Sequence, residues 1–210
     1  MSRSEFVKRI QERLGAVLSD TGLVRSRLRW VRVREPFIDC VDLQSRSDNA
    51  ACCLNLGEHL SFLPIAGVAT AVDIKKMSSA HCEITSRLAR VGETDHWWEF
   101  EDPSAVEGLL VCFEKTGETF FRQYGDFPRP FLHIKLSEIE GRSAVDLMPM
   151  MTTVRRILLL ARVYDYLGDS PNAIKWAEFG MQKAGRMAVG PKAAFREILR
   201  KHQSGEGRRT

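Results

Sequence analysis

Apolar residues recur at helical spacing at the start of the chain. Phe6, Ile10 and Leu14 follow one another every four residues, which predicts a helix with one buried face. Ser4 is a suitable N-terminal cap, and Gly22 is well placed to end the helix. The first element is therefore predicted to be an amphipathic helix.

Alternation of polar and apolar residues follows and predicts a small sheet. Residues 25–34 form the first predicted strand, whose apolar phase slips halfway along and so predicts a bulge or an edge strand. Residues 37–44 and 50–56 form two strands joined by a polar loop, and residues 80–91 form a fourth. We expect a four-stranded, mostly antiparallel sheet with one buried face.

Helical periodicity returns in the second half of the chain. Asp102 and Pro103 begin a long apolar stripe that Gly125 ends, and Gly117 is expected to kink or divide this helix. Three more helices are predicted: one over about residues 150–167, one over about 170–185 and one that opens at Gly190.

The order of these elements predicts an α+β fold, in which the sheet packs on the long helix and a three-helix segment follows. The domain organisation follows from the same order. An α+β domain is expected over residues 1–148, with a C-terminal helical segment over 149–203 packed on it. Residues 204–210 are expected to form a disordered tail.

Composition places the chain among globular proteins. Of its 210 residues 44% are hydrophobic and 28% are charged, and the longest uncharged stretch, residues 60–72, is too short to span a bilayer. The net charge of +4 divides into +6 over residues 1–34, -7 over 35–185 and +5 over 186–210. This distribution argues against a uniformly basic nucleic-acid-binding protein and leaves room for a local basic face.

Cysteine usage favours reduced thiols and a cytoplasmic location. The chain has five cysteines without C-x-x-C spacing: Cys40, Cys52, Cys53, Cys82 and Cys112. No apolar segment of a secretory signal follows Arg3 and Glu5. His81 adjoins a cysteine, but further ligands at regular spacing are missing, so buried structural thiols are expected and no metal, cofactor or membrane association is predicted.

The C-terminal helices resemble a single tetratricopeptide repeat. The resemblance is carried by the small and aromatic positions of two antiparallel helices: Leu160, Ala161, Tyr164, Gly168, Asp169 and Ala173. A lone repeat cannot form the stacked groove by which arrays of such repeats bind peptides. We interpret the segment as a helical hairpin that packs on the domain or docks a partner.

The N-terminal half resembles another family. Its motifs are Val41-Asp42-Leu43-Gln44-Ser45, Leu54-Asn55-Leu56-Gly57, Glu83-Ile84-Thr85-Ser86-Arg87-Leu88 and Asp95-His96-Trp97-Trp98. Over about residues 5–125 the chain looks like an uncharacterised bacterial family known only as domain of unknown function number forty-three-oh-four. The resemblance implies a bacterial cytoplasmic α+β domain without an assigned reaction. Analogy with other small bacterial families adds an immunity or antitoxin role.

Four polar or small residues stand near the ends of two predicted partner strands. Gln44 and Ser45 lie at the end of one strand, and Asn55 and Gly57 lie at the end of its hairpin partner. Their amide and hydroxyl groups either converge on a ligand or satisfy backbone groups at the sheet margin. Gly57 is expected to adopt a positive φ in a turn.

Arginine and tryptophan supply a second set of candidate binding residues. Arg25, Arg27 and Arg29 are expected to line one strand face at a spacing of about 7 Å, which approaches the spacing of nucleic-acid phosphates. Arginines on an edge strand also guard against edge pairing. Trp97 and Trp98 cannot both point inward from an extended backbone, so one of them is a candidate for exposure and partner binding.

No recognised catalytic motif occurs in the sequence, so a catalytic role is not predicted. The predicted function is a non-catalytic protein-binding module, such as an immunity-type neutraliser whose acidic body meets a basic partner. Binding of single-stranded nucleic acid through the arginine-rich strand is one alternative. An enzyme of unrecognised class, with groups gathered from distant positions, is another.

Overall fold

The computed structural model describes residues 2–65 and 73–206. Its first element is the amphipathic helix that the sequence predicts. Helix α1 (Arg3–Asp20) buries its apolar stripe completely. The hydroxyl of Ser2, rather than that of Ser4, caps the helix by accepting a hydrogen bond from the Glu5 amide. Gly22 follows the helix with a φ of 84°, the left-handed conformation that glycine adopts most readily.

The sheet contains six strands within the described residues, and every pair is antiparallel. The strands are β1 (Val24–Ser26), β2 (Arg29–Arg34), β3 (Phe37–Ser45), β4 (Ala51–Leu60), β5 (Ile84–Arg87) and β6 (Trp98–Glu99). They pair in the order β1-β2-β3-β4-β5, and β6 also pairs with β4. The predicted strand over residues 25–34 is a hairpin of β1 and β2, and the predicted strand over 80–91 is shorter because residues 79–81 form a 3-10 turn.

Strand pairing gives the sheet two chemically distinct faces. We call one the inner face; it carries the row of partners Trp30, Val41 and Leu56. Helix α1 covers this row, and Gly15 of α1 lies against the Trp30 indole. The other, which we call the outer face, is covered in part by residues 76–82, which we call the covering segment. A small apolar cluster joins this segment to the sheet: Val31, Ile38, Cys40, Met77 and Cys82, with Ile65 against it.

The predicted long helix is divided at the predicted place. Helix α2 (Ala105–Cys112) runs into a π-helical turn (Phe113–Gly117) and then into α3 (Glu118–Arg122). A Cβ at Gly117 would lie 2.4 Å from the Phe113 ring, so only glycine fits beside that ring. The π turn thus holds the Phe113 ring against Gly117, where a larger side chain would clash.

The rest of the chain is helical. The helices are α4 (Arg129–Leu132), α5 (Arg142–Leu147), α6 (Thr153–Tyr166), α7 (Ser170–Lys183) and α8 (Val189–Glu206). Helices α6 and α7 form an antiparallel hairpin around Gly168, and their resemblance to a tetratricopeptide repeat stays a prediction. Helix α8 includes residues 204–206 of the predicted tail, and residues 207–210 lie outside the described residues. No helix in the described residues is both long and apolar enough to cross a membrane.

The chain divides into two units, Met1–Gly125 and Asp126–Thr210. The sheet and α1 to α3 belong to the first unit, and the helices from α4 onward belong to the second. The first unit has 16 Lys and Arg against 18 Asp and Glu, and the second has 15 against 9. The acidic segment 35–185 is thus split between a nearly neutral unit and a basic one.

Candidate functional site

Four polar residues form a row across the outer face, and we call them the polar row. Register places them directly opposite one another on β2, β3, β4 and β5: Arg29, Asp42, Asn55 and Arg87. The row lies at the margin of the covering segment, and the Ser79 amide donates a 2.6 Å hydrogen bond to Oδ1 of Asp42. Polar groups from four strands thus reach one surface.

Asn55 links this row internally. Its Nδ2 donates to Oδ2 of Asp42 at 3.1 Å and to Oε1 of Gln44 at 3.0 Å. Its Oδ1 accepts a hydrogen bond from Nε of Arg87 at 3.3 Å. Gln44 is exposed and Asn55 is half-buried, so both amides reach the surface. Two of the predicted site residues, Gln44 and Asn55, are therefore brought together by the sheet.

Arg87 connects the polar row to an aromatic side chain. Its guanidinium lies 5.0 Å from the ring centroid of the half-buried Trp97. Nη1 of Arg87 also donates to both carboxylate oxygens of Asp95 at 3.0 Å. The carboxylate and the indole together hold the guanidinium in one position. We call Gln44, Asn55, Arg87, Asp95 and Trp97 the outer-face cluster.

The other tryptophan of the pair has a structural role. Trp98 is buried on the inner face, where Gly108 of α2 lies against its indole. Trp97 emerges on the opposite side, in keeping with the expectation that both cannot point inward. Ser45 also lies apart from the cluster, on the inner face, where its hydroxyl accepts a hydrogen bond from Arg3.

The expectation that Gly57 adopts a positive φ in a turn is wrong. Gly57 lies in the middle of β4, and it is not among the residues with positive φ. A Cβ at this position would lie 2.7 Å from the Ser79 Cα and from the Cys82 sulfur. Gly57 is therefore required because the covering segment packs directly on the strand.

The expectation of an arginine ladder on one strand is also wrong. Arg25 lies on β1 opposite Trp30, Arg27 lies in the turn, and Arg29 begins β2. The hairpin reverses the chain, so the three side chains do not form one line at strand spacing. Only Arg29 joins the polar row.

The two adjacent cysteines of β4 do not supply a nucleophile to this surface. Burial raises the pKa of Cys52 to about 12 and that of Cys53 to about 11, so both thiols are protonated at neutral pH. Among the described residues, no group of three or more His, Cys, Asp or Glu side chains is placed to hold a metal ion. The outer-face cluster is thus equipped for hydrogen bonding and aromatic contact.

Sequence reasoning missed a second cluster, which lies on the inner face. Asp39 and Glu58 are directly opposite on β3 and β4, and both are fully buried. Arg32 and Arg34 donate to Asp39, and Nη2 of Arg34 donates to Oε1 of Glu58 at 2.6 Å. Asp39 and Glu58 stand within largely apolar strand segments, and on β2 arginines alternate with apolar residues. These two patterns together are the signal that would have revealed this ion cluster.

Burial and the neighbouring Asp39 raise the pKa of Glu58 to about 10, so its carboxyl is protonated at neutral pH. Oε2 of Glu58 receives no hydrogen bond from the described residues. A proton on Oε2 accounts for the missing hydrogen bond, because the protonated oxygen can donate to the Asp39 carboxyl on the neighbouring strand. The two carboxyl groups therefore carry one negative charge between them.

These features define an α+β domain in which helices cover one face of an antiparallel sheet and the other face presents a polar cluster with an arginine-tryptophan contact. The chain belongs to the family described as domain of unknown function (DUF4304), whose model matches residues 14–124. The match includes every residue of the outer-face cluster and ends one residue before the end of the first unit. No curated protein and no solved structure matches the chain.

Proposed function

We propose that this chain is a non-catalytic module that binds a protein partner through the outer-face cluster. The observation that carries the proposal is the contact of Arg87 with Trp97 at an accessible sheet surface. Tryptophan and arginine are among the residues that most often dominate the binding energy of protein interfaces. Trp97 is the anchor of the proposed interface.

The cluster is organised before any partner arrives. Arg87 is held by Asn55, Asp95 and Trp97 at once, so little side-chain entropy is left to lose on binding. Gln44 and Asn55 add amide groups beside the anchor, where they can be shared with a partner's backbone. A surface of this kind favours recognition by shape and hydrogen bonding.

In its finer form, the proposal is an immunity- or antitoxin-type role in a bacterium, in which occupation of this surface blocks the partner. The first unit carries nearly balanced charge, so long-range attraction supplies little of the affinity. We therefore expect partner binding to weaken only slightly as salt is raised.

Single-stranded nucleic acid is the second candidate. Trp97 offers a stacking surface, and Arg29 and Arg87 stand in one row beside it. However, Asp42 lies in the same row and Asp95 pairs with Arg87, so carboxylates stand where phosphates would pass. Strong salt dependence would accompany this mode of binding.

The test is a pull-down with the tagged full chain, both from cells of its host and from cells co-expressing the neighbouring gene. Wild type is compared with Trp97→Ala and with the control Tyr166→Ala, which removes an aromatic ring that is 52% exposed in the other unit. We expect wild type and the control to retain a stoichiometric protein that Trp97→Ala loses. The affinity for that protein should fall by a factor of roughly 30 or more, corresponding to about 2 kcal/mol.

Recovery of no stoichiometric protein, or equal recovery by all three chains, would contradict the proposal. Labelled single-stranded RNA and DNA are titrated in parallel at two salt concentrations. Binding that requires Trp97 and falls steeply with salt would transfer the function to the second candidate.

A further inference from the structure

A cleft of about 330 Å³ opens in the first unit, on the side of the inner face. Its walls come from the end of α1, from β2, and from the π turn with α3. Three arginines and three apolar side chains stand among its lining residues: Arg32, Arg34, Arg122, Leu23, Phe113 and Phe121. The cleft is separate from the outer-face cluster, because the two belong to opposite faces of the sheet.

Two arginines of this cleft are held by one buried carboxylate. Nε of Arg32 donates to Oδ2 of Asp39 at 2.7 Å, and Nε of Arg34 donates to the same oxygen at 2.8 Å. Asp39 is inaccessible to solvent, whereas the arginine side chains are 23% and 27% exposed. Both guanidiniums are therefore fixed from behind and reachable from the cleft.

Donor groups are left over after these contacts. Nη1 of Arg32 donates to the Thr21 carbonyl at 2.6 Å, and Nη2 of Arg34 donates to Glu58 and to the Phe121 carbonyl. The hydrogen bonds of Arg34 to Asp39, Glu58 and Phe121 use its Nε and Nη2. A guanidinium has five N–H groups, so donors remain for a ligand.

Charge is also left over. The two guanidiniums face the single negative charge that Asp39 and Glu58 carry between them, since burial holds the Glu58 carboxyl in its protonated form. At the rim, Arg122 is paired with Glu118 at 3.4 Å. The cleft therefore has an excess of one positive charge near its arginines, which a monoanion would balance.

Aromatic and aliphatic side chains complete the walls. Phe113, Phe121 and Leu23 border the cleft and offer contact to an apolar group. Phe113 is placed by the π turn, in which its ring lies against Gly117. Such turns are rare within α-helices and occur often at functional sites.

We infer that this cleft binds the carboxylate of a small organic acid with an apolar body. Arg32 and Arg34 hold the carboxylate through the N–H groups that these contacts leave over, and the phenylalanine rings contact the body of the acid. A phosphate dianion fits less well, since its second charge would stay unbalanced beside apolar walls. The carboxylate comes from a free acid or from the C-terminus of a peptide chain.

The test uses the full chain with its arginine Nε–Hε signals observed by NMR. It is titrated with 3-phenylpropionate and benzoate, with 3-phenylpropionamide, with inorganic phosphate, and with a tripeptide ending in Phe as the free acid or the amide. We expect a free carboxylate to saturate the Arg32 and Arg34 signals and the matching amide to bind at least tenfold more weakly. Saturation by the peptide acid alone would identify a chain terminus as the source.

Arg34→Lys keeps the charge and removes the planar fork, and Arg90→Lys makes the same change at an exposed position outside the cleft. We expect at least a tenfold loss of acid binding in Arg34→Lys and no change in the control. The inference is overturned if no acid saturates by about 10 mM, if phosphate or the amide binds as tightly as the acid, or if Arg34→Lys binds normally. Should that variant fail to fold, the comparison of acid and amide on the wild type decides.

Discussion

Replacing Glu58 by Gln should make the protein more stable, and increasingly so as the pH rises. The side chain of Gln has the shape of a protonated Glu. Its Oε1 can accept the hydrogen bond from Arg34, and its Nε2 can donate to Asp39, so the contacts of the buried pair are retained. What disappears is the requirement that the folded chain hold a proton at this position.

That requirement has a defined pH dependence. The pKa of Glu58 is raised from 4.5 to about 10 in the fold. Protonated Glu58 therefore favours the folded state fully below pH 4.5, and this contribution is lost as the pH rises towards 10. Between these limits the folded state holds one proton more than the unfolded state, so the free energy of unfolding falls by about 1.4 kcal/mol per pH unit.

The assay is urea unfolding of wild type and Glu58→Gln, followed by tryptophan fluorescence. Between about pH 6 and about pH 8, the stability of Glu58→Gln relative to wild type should increase by about 2.7 kcal/mol. Taking the difference removes the contributions of groups that titrate alike in both chains. Asp39→Asn is the matched control, since it makes the same chemical change on the neighbouring strand.

Opposite results are expected for the two amides. Asp39→Asn leaves two partly buried guanidiniums without their carboxylate and should destabilise the fold by roughly 3–5 kcal/mol. Parallel stability curves for wild type and Glu58→Gln between about pH 6 and about pH 8 would refute the reasoning. They would mean that Glu58 binds no extra proton in the folded state.

Further predictions concern close packing and the buried thiols. Gly57→Ala should destabilise the fold by about 1–3 kcal/mol in urea unfolding, because the new methyl group would meet Ser79 and Cys82. Gly190→Ala, where a Cβ meets nothing within 4 Å, should change stability by less than about 1 kcal/mol. Gly117→Ala should cost a similar 1–3 kcal/mol or so and displace the Phe113 ring, which a change in its NMR signals would report. Iodoacetamide at about pH 8 should leave the five buried cysteines unmodified by mass until urea is added, and rapid modification of the native chain would contradict their burial.

Local features of the fold could be predicted from the sequence. The end of α1 shortly before Gly22 and the interruption at Gly117 depend on residues within a turn or two, so the pattern contains the necessary information. The α+β class is confirmed for the same reason, because the order of helical and alternating segments determines it.

Strand pairing was harder to predict. The turn between β1 and β2 contains no glycine, and Arg27 itself adopts the left-handed conformation with a φ of 59°. Without a turn signal, residues 25–34 look like one strand with a phase slip. The phase slip reflects the reversal of chain direction between β1 and β2. The expectation of an arginine ladder came from treating these two strands as one.

The candidate site could be predicted only in part, because its contacts cross the sheet. Asn55 is 13 residues from Asp42 and 32 from Arg87 along the chain, yet it binds both. The polar character of Gln44 and Asn55 was visible in the sequence. Their convergence with Arg87 and Trp97 depends on the register of strands, which a single sequence does not encode in any local pattern.

The same alternation explains why segment charge was a poor guide to partners. On β2, Arg29 lies on the outer face, whereas Arg32 and Arg34 lie on the inner face and are paired with Asp39. Arg32, Arg34 and Asp39 are counted in the basic and acidic segments of the sequence, but their charges largely cancel inside the sheet. Only the net charge that remains after such pairing can act on a ligand. For the cleft this remainder is a single positive charge between apolar walls, and this makes a small carboxylate, rather than a polyanion, its proposed ligand.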